Sequence, residues 1–135
     1  MKETPVQQRV RLKAAYMLCQ LWRNNTGACE DKTGRQIRYG LANDSAALNK
    51  RIKSSDLIGI VPVVITPDMV GKTIGVFGAF ECKDSDWKFP APTNIKEFER
   101  CTAQAAFHTI VRNAGGIAGF VTSEEDFVTL ANSKR

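Results

Sequence analysis

Between residues 94 and 122 the sequence leaves the chain little freedom. Ala103, Ala106, Phe107, Ile110, Val111 and Ala114 recur at i, i+3, i+4, i+7, i+8 and i+11, the spacing of one apolar helix face. Asn94 with Glu97 three residues on has the form of a capping box that opens this helix. Gly115-Gly116 closes it. Ile117 to Thr122 then reads as a strand, and Ser123 as the cap of a last helix. A helix with a core-facing stripe must lie against another layer, so the β-like runs of the chain are expected to form a sheet beneath it.

Those runs lie upstream. Thr4 can cap a first helix, with Pro5 at its first position and Gln7 completing a capping box, which puts Glu3 just outside it. Val6, Val10, Ala14, Met17, Leu18 and Leu21 follow at helical spacing. Trp22-Arg23-Asn24-Asn25 is expected to be a short strand. Thr26 to Gly34 is turn-like, and Gln36 to Gly40 alternates as the second arm of a hairpin. Residues 41–55 are polar and read as a loop with a helical turn. Leu57 to Val61 is a strand ended by Pro62. Thr66-Pro67-Asp68-Met69 reads as a capped short turn, and Ile74 to Lys83 is the longest β-like run. The order is helix, strands, helix, strand, helix, which is an α/β chain with a mixed sheet flanked by helices. With 135 residues and neither repeat nor linker, one domain spanning 1–135 is the expectation.

The charge is uneven. Residues 1–53 hold eleven Lys and Arg against four Asp and Glu, a balance of +7, while the rest of the chain carries −2. The basic half suits a polyanion and the acidic half a cation. The cysteines, Cys19, Cys29, Cys82 and Cys101, form no C-x-x-C pair, and His108 is the single histidine. A structural zinc site needs four clustered ligands, so free thiols in a reducing cytosol are expected. No apolar run is long enough to span a membrane and no signal peptide is evident, so the chain is expected to be cytoplasmic.

The chemistry centres on Phe80-Glu81-Cys82-Lys83. Side chains alternate along a strand, so Glu81 and Lys83 leave one face together at its end. A carboxylate there can bind a hard divalent ion, and a neighbouring lysine can orient a water and offset charge on a transition-state phosphate. An acid-x-Lys triplet is common by chance, and the bland alternative is a solvated ion pair. Glu30-Asp31-Lys32 and Asp86-Trp87-Lys88 match too, but in turn-like stretches where side-chain directions are not set. Asp56 directly precedes the strand Leu57 to Val61. If that strand pairs with 74–83, Asp56 and Glu81 can converge on one metal, since two close carboxylates repel without a cation between them. Arg100, Gln104, His108 and Arg112 form a polar line beside the apolar stripe. From its edge Gln104 can reach the lysine, a water or a phosphate, while His108 reads as part of a solvated flank.

Asp56, then Glu81-x-Lys83, then Gln104 resembles the PD-(D/E)xK nuclease superfamily. The nearer resemblance is to its virus-type replication–repair nuclease (VRR-NUC) domains. It runs in order through Trp22-Arg23-Asn24-Asn25, Ile37-Arg38-Tyr39-Gly40, Ser55-Asp56-Leu57-Ile58-Gly59, Glu81-Cys82-Lys83, Gln104 and Gly115-Gly116. Thr66 to Thr73 is similar to stand-alone phage and prophage members. Residues 42–53 are longer than the usual spacer.

The resemblance implies a restriction-endonuclease-like core and a Mg²⁺- or Mn²⁺-dependent DNA endonuclease. Asp56, Glu81 and the Cys82 carbonyl would hold the metal, with Glu3 a further donor. Lys83 would position the water, and Gln104 would support the lysine or the substrate. Arg23, Asn24, Arg38, Lys50, Arg51 and Lys53 are candidate DNA-backbone contacts. The resemblance also implies a homodimer acting on branched DNA such as a four-way junction. The alternatives are a flap or nicking endonuclease, an exonuclease, and a DNA-binding module without catalysis.

Overall fold

The computed structural model describes residues 3–134, with the backbone alone for residues 3 and 4. The chain forms two compact units, 1–59 and 60–135. Both mix helix and strand, as the α/β reading requires. Among the described residues no helix is long and apolar enough to cross a membrane.

The first unit opens with α1 (Glu3–Tyr16). Glu3 and Thr4 are already helical, so Thr4 is not the cap and Glu3 does not lie outside the helix, against expectation. The far end of α1 is a Schellman turn, with Cys19 N–H donating to Ala14 O at 2.9 Å and Leu18 N–H to Ala15 O at 3.1 Å. Leu18 therefore takes a left-handed backbone, φ 61°, in the place where glycine is usual. Of the stripe expected on this helix only Ala14 is buried; Val6, Val10, Met17 and Leu18 are exposed.

Strand β1 (Gln20–Arg23) pairs with β4 (Leu57–Ile60). The two run antiparallel, because Asn24 N–H donates to Asp56 O at 2.8 Å while Gln20 lies against Gly59 at the other end. A Cβ on Gly59 would stand 1.7 Å from the Gln20 carbonyl oxygen, so this contact requires glycine. The convergence of Asp56 with Glu81 is conditional on β4 pairing with the run 74–83; the strand that β4 pairs with is β1. The turn-like stretch after Thr26 also contains a strand, β2 (Gly27–Glu30), which pairs antiparallel with β3 (Gln36–Tyr39). Asp31 closes that hairpin. Its Oδ1 accepts from Thr33 N–H, Thr33 Oγ1 and Arg35 N–H, and the Thr33 hydroxyl foremost among these holds the carboxyl below its usual range. Helix α2 (Ala46–Arg51), capped by the Ser45 side chain, is the helical turn expected in the 41–55 loop.

In the second unit β5 (Gly78–Cys82) runs parallel to β6 (Ile117–Val121), joined by α3 (Ile95–Asn113). Pairing aligns Ala79 with Ala118 and Glu81 with Phe120 on one face, and Phe80 with Gly119 on the other. Helix α3 covers the first face. α4 (Glu124–Asn132) covers the second, where Phe127 meets Phe80 edge-on at 5.0 Å. Ser123 caps α4 as expected, accepting from Asp126 N–H. Asp126 in turn accepts from the N–H and hydroxyl of Thr122. Three expectations fail here. Residues 74–77 are not strand: the ladder with β6 opens at Gly78 opposite Ile117, and Phe77 joins it through its carbonyl, which accepts from Ile117 N–H at 2.8 Å. Asn94 precedes α3 without a side-chain cap bond, so it forms no capping box with Glu97. Thr66 likewise makes no cap bond to the short 3-10 turn Pro67–Met69, its hydroxyl going to Asp68 instead.

The largest correction concerns the face that α3 turns inward. Cys101, His108 and Val111 are buried and Gln104 is half-buried, while Ala103, Ala106, Phe107 and Ile110 are exposed. The inward face therefore joins Gln104 and His108 of the polar line to Cys101 and to Val111 of the apolar stripe.

Candidate functional site

Parallel strands leave their C-terminal ends together, where ligand sites of α/β sheets lie. Glu81 is the penultimate residue of β5. Lys83 follows the strand and extends its ladder, Lys83 N–H donating to Val121 O at 2.9 Å. The alternation inferred from sequence therefore holds past the strand end, and both side chains face α3.

Gln104 meets them there. Its Nε2 donates to Glu81 Oε1 at 2.7 Å and its Oε1 accepts from Lys83 Nζ at 3.0 Å. Lys83 Nζ lies 3.5 Å from the same Glu81 oxygen, with the lysine side chain 9% exposed and the glutamate side chain 35%. One carboxamide thus bridges the acid and the base. Its single orientation satisfies both, because only one end of the group donates and only the other accepts. Among the described residues no hydrogen bond uses Glu81 Oε2.

An aromatic cluster lies against this trio. The Phe120 ring is 4.8 Å from the His108 ring, edge to face, and 4.8 Å from Trp87. Phe89 adds edge contacts to Trp87, Phe98 and Phe120, each at 6.0 Å. His108 is 4% exposed, so it is not part of a solvated flank. Burial, and then the charge of Arg112, lower its pKa below the usual imidazole value; the Glu81 carboxylate opposes them. The ring is therefore neutral near pH 7.

Two open depressions of about 410 Å³ each flank the trio. One is lined by Glu81, Gln104, Phe107, His108 and Arg100, the other by Lys83, Asp84, Trp87, Glu97 and again Arg100. A larger groove lies on the other sheet face, around Phe80, Ile117 and Phe127, with Lys72 and Lys134 in its lining and none of the trio.

The remaining candidates belong to the first unit. Asp56 is exposed just before β4, and its carbonyl holds Asn24 N–H. Asn24 is a knot of internal bonds: Nδ2 donates to Ser54 Oγ and Ser55 O, and Oδ1 accepts from Leu41 N–H. Arg38 is likewise occupied, donating to the carbonyl and side-chain oxygens of buried Asn43 at 3.0 and 2.6 Å. Arg23, Lys50, Arg51 and Lys53 are exposed, with Lys53 Nζ bonded to Asn49 Oδ1. Glu3 lies in the first turn described for α1. Among the described residues no three His, Cys, Asp or Glu side chains group as metal ligands.

Of the two other acid-x-Lys triplets, Asp31 closes the β2–β3 hairpin and Trp87 of the second packs at the site. Sequence reasoning missed Trp87, Phe120 and the inward turn of His108. The alternation of β6 was the available signal for Phe120. The chain matches no family model, no curated protein and no solved structure.

Proposed function

We propose that the chain is a metal-dependent endodeoxyribonuclease of the PD-(D/E)xK type, similar to VRR-NUC domains, that hydrolyses phosphodiester bonds in branched DNA. The observation that carries the reading is the Gln104 bridge between Glu81 and Lys83 at the C-terminal end of a parallel strand. An acid and a base held by one amide are preorganised, which is what positioning of a scissile phosphate requires.

The donor chemistry fits a hard cation. Glu81 presents a carboxylate whose Oε2 has no hydrogen bond among the described residues, and Mg²⁺ takes one or two carboxylates together with waters and substrate oxygens. The resemblance adds Asp56, the Cys82 carbonyl and Glu3 as donors. A bound Mg²⁺ or Mn²⁺ would supply a water of lowered pKa and neutralise phosphate charge. Lys83 holds its ammonium where it can orient the attacking water and offset charge on the phosphate. Gln104 keeps the two groups in register. Arg100, which lines both depressions, and the basic side chains Arg23, Lys50, Arg51 and Lys53 supply phosphate contacts that position rather than specify. A homodimer would present two sites to a symmetric junction.

The test is cleavage of a labelled four-way junction beside linear duplex and single strand, with Mg²⁺, Mn²⁺ or EDTA. Metal-dependent cutting by the wild type, lost in Glu81→Ala, is the expected result. Asp56→Asn should abolish cutting with DNA affinity retained; equal loss of binding would remove Asp56 from the metal role. The preferred substrate separates a junction resolvase from a flap or nicking enzyme and from an exonuclease. A second reading is a DNA-binding module without catalysis, which the +7 balance of residues 1–53 serves equally well. Salt-dependent binding with no cutting of any substrate in either metal would select it.

A further inference from the structure

Lys83 is the one charged side chain of the trio that the hydrogen bonds alone do not explain. A lysine just past the end of a strand ordinarily extends into water. Here the side chain is 9% exposed, and its Nζ stands 5.7 Å from the Trp87 ring centroid and 5.8 Å from that of Phe120. Both distances fall within the reach of cation–π attraction. The two rings are 4.8 Å apart and inclined by 32°, so they form a shelf rather than two separate contacts. Phe120 is in turn braced by His108 on α3 and by Phe89. Trp87 comes from the loop between β5 and α3, where Trp87 N–H donates to Asp84 O at 2.9 Å.

We propose that Trp87 and Phe120 are positioning residues that hold the Lys83 ammonium by its cation–π contacts, beside Glu81 and facing the depression that Lys83 and Trp87 share. The proposal rests on the nuclease reading for its catalytic consequence, but the shelf itself does not. A lysine with only Glu81 and Gln104 for partners can collapse onto the carboxylate and neutralise the acid as a closed ion pair. The two rings give Nζ an attraction that does not come from Glu81, and its ion pair with Glu81 Oε1 stays at 3.5 Å, longer than its 3.0 Å bond to Gln104. The carboxylate then keeps its capacity for a cation, and the ammonium its direction toward substrate. The effect depends on the π face, so phenylalanine can replace tryptophan in part and an aliphatic side chain cannot.

The experiment has two arms on the full chain. In the first, NMR of wild type reads the Lys83 ε-methylene protons, assigned by their loss in Lys83→Arg. Ring currents from the shelf should move them upfield of the other lysines, in Trp87→Phe still and in Trp87→Leu much less. Lys83 ε-methylene protons at ordinary lysine positions in wild type overturn the shelf, and this arm needs no activity. In the second, kcat and KM for junction cleavage with Mg²⁺ are compared. Trp87→Leu should lower kcat by about 5- to 30-fold with KM nearly unchanged, and Trp87→Phe should recover most of the loss. Equal loss in both variants, or no loss in Trp87→Leu, overturns the positioning role. If wild type cuts no substrate while the upfield shift is present, the nuclease reading fails and the shelf stands as a structural finding.

Discussion

Gln104 donates to the Glu81 carboxylate over 2.7 Å, and this one bond ties the middle of α3 to the end of β5. The opposite end of the same amide holds Lys83. Replacing Gln104 with leucine keeps the volume and removes both bonds. Single-turnover cleavage by Gln104→Leu should fall by roughly 100-fold, the scale of loss when reacting groups shift by about 1 Å. DNA affinity should change little. Cutting at the wild-type rate would mean that the bridge is structural and not part of the chemistry.

His108 should make stability depend on pH in a definite direction. Its pKa is lowered in the folded chain by burial and by Arg112, so the unfolded chain binds the proton first as pH falls. Stability is therefore fully present above roughly pH 6.5 and is lost as pH drops from there through the folded value. Urea unfolding between pH 8 and pH 5 should show the midpoint falling in that window, and His108→Phe should flatten it. Asp126 and Asp31, whose pKa values are lowered by hydrogen bonds led by the Thr122 backbone and the Thr33 hydroxyl, act in a separate and more acidic window. Their contribution is present above the ordinary carboxylate pKa of about 4 and lost below it. An unchanged midpoint from pH 8 to pH 5 in wild type would contradict the assignment to His108.

Leu18 and Gly115 sit at the same position of the same helix-ending turn. Gly115 N–H donates to Arg112 O and Gly116 N–H to Val111 O, as Leu18 and Cys19 do at the end of α1. Both residues have positive φ, 61° and 94°, but only one is glycine. Leu18 is 77% exposed, so its replacement forfeits little packing. Leu18→Gly should raise stability by about 0.5–1 kcal/mol. Gly115→Ala should lower it by about 1 kcal/mol from backbone strain alone, since a Cβ there meets nothing within 4 Å. Thermal melts of both variants decide the matter; destabilisation by Leu18→Gly would contradict it.

Arg38 and Lys50 separate a structural cation from a substrate-facing one. Arg38 is bonded twice to buried Asn43, so Arg38→Ala should cost about 1–3 kcal/mol through the polar groups left unpaired. Lys50 is exposed at the end of α2. Lys50→Ala should leave the melting temperature unchanged and reduce the salt slope of DNA binding by about 1. Denaturant titration and anisotropy at several salt concentrations test the pair. The reverse pattern would exchange their roles.

Much of the local structure was legible from residues near one another. Ser123 before an acidic first turn marked α4, Gly115-Gly116 marked the end of α3, and Pro62 the end of β4, because capping and stop chemistry act within a few residues. The pairing of Glu81 with Lys83 followed from strand alternation, which the ladder bond of Lys83 to Val121 preserves. The extent of β5 was not legible. Ile74, Val76 and Phe77 have strand-forming side chains, but a ladder extends as far as its partner does, and β6 starts at Ile117, opposite Gly78, with a bond back to the Phe77 carbonyl.

The sequence by itself determined the α/β order of elements, the uneven charge, and the placing of Glu81, Lys83 and Gln104 within reach of one helix–sheet edge. Only the tertiary structure decided which face of α3 turns inward. Counting apolar residues selects Ala103, Ala106, Phe107, Ile110, Val111 and Ala114, yet of these Val111 alone is buried, and beside it the helix buries Cys101 and His108 and turns Gln104 toward the sheet. The physical reason is that hydrophobicity ranks side chains in isolation. A polar group packs inward when the facing layer satisfies it, as Glu81 and Lys83 do for Gln104, and an imidazole kept neutral by burial packs as an aromatic ring, as His108 does edge-to-face against Phe120. The same holds for Trp87 and Phe120, which are 33 positions apart in sequence and 4.8 Å apart in space. No local pattern encodes that contact, because it exists only once β5 and β6 pair and the loop between β5 and α3 folds back over their ends.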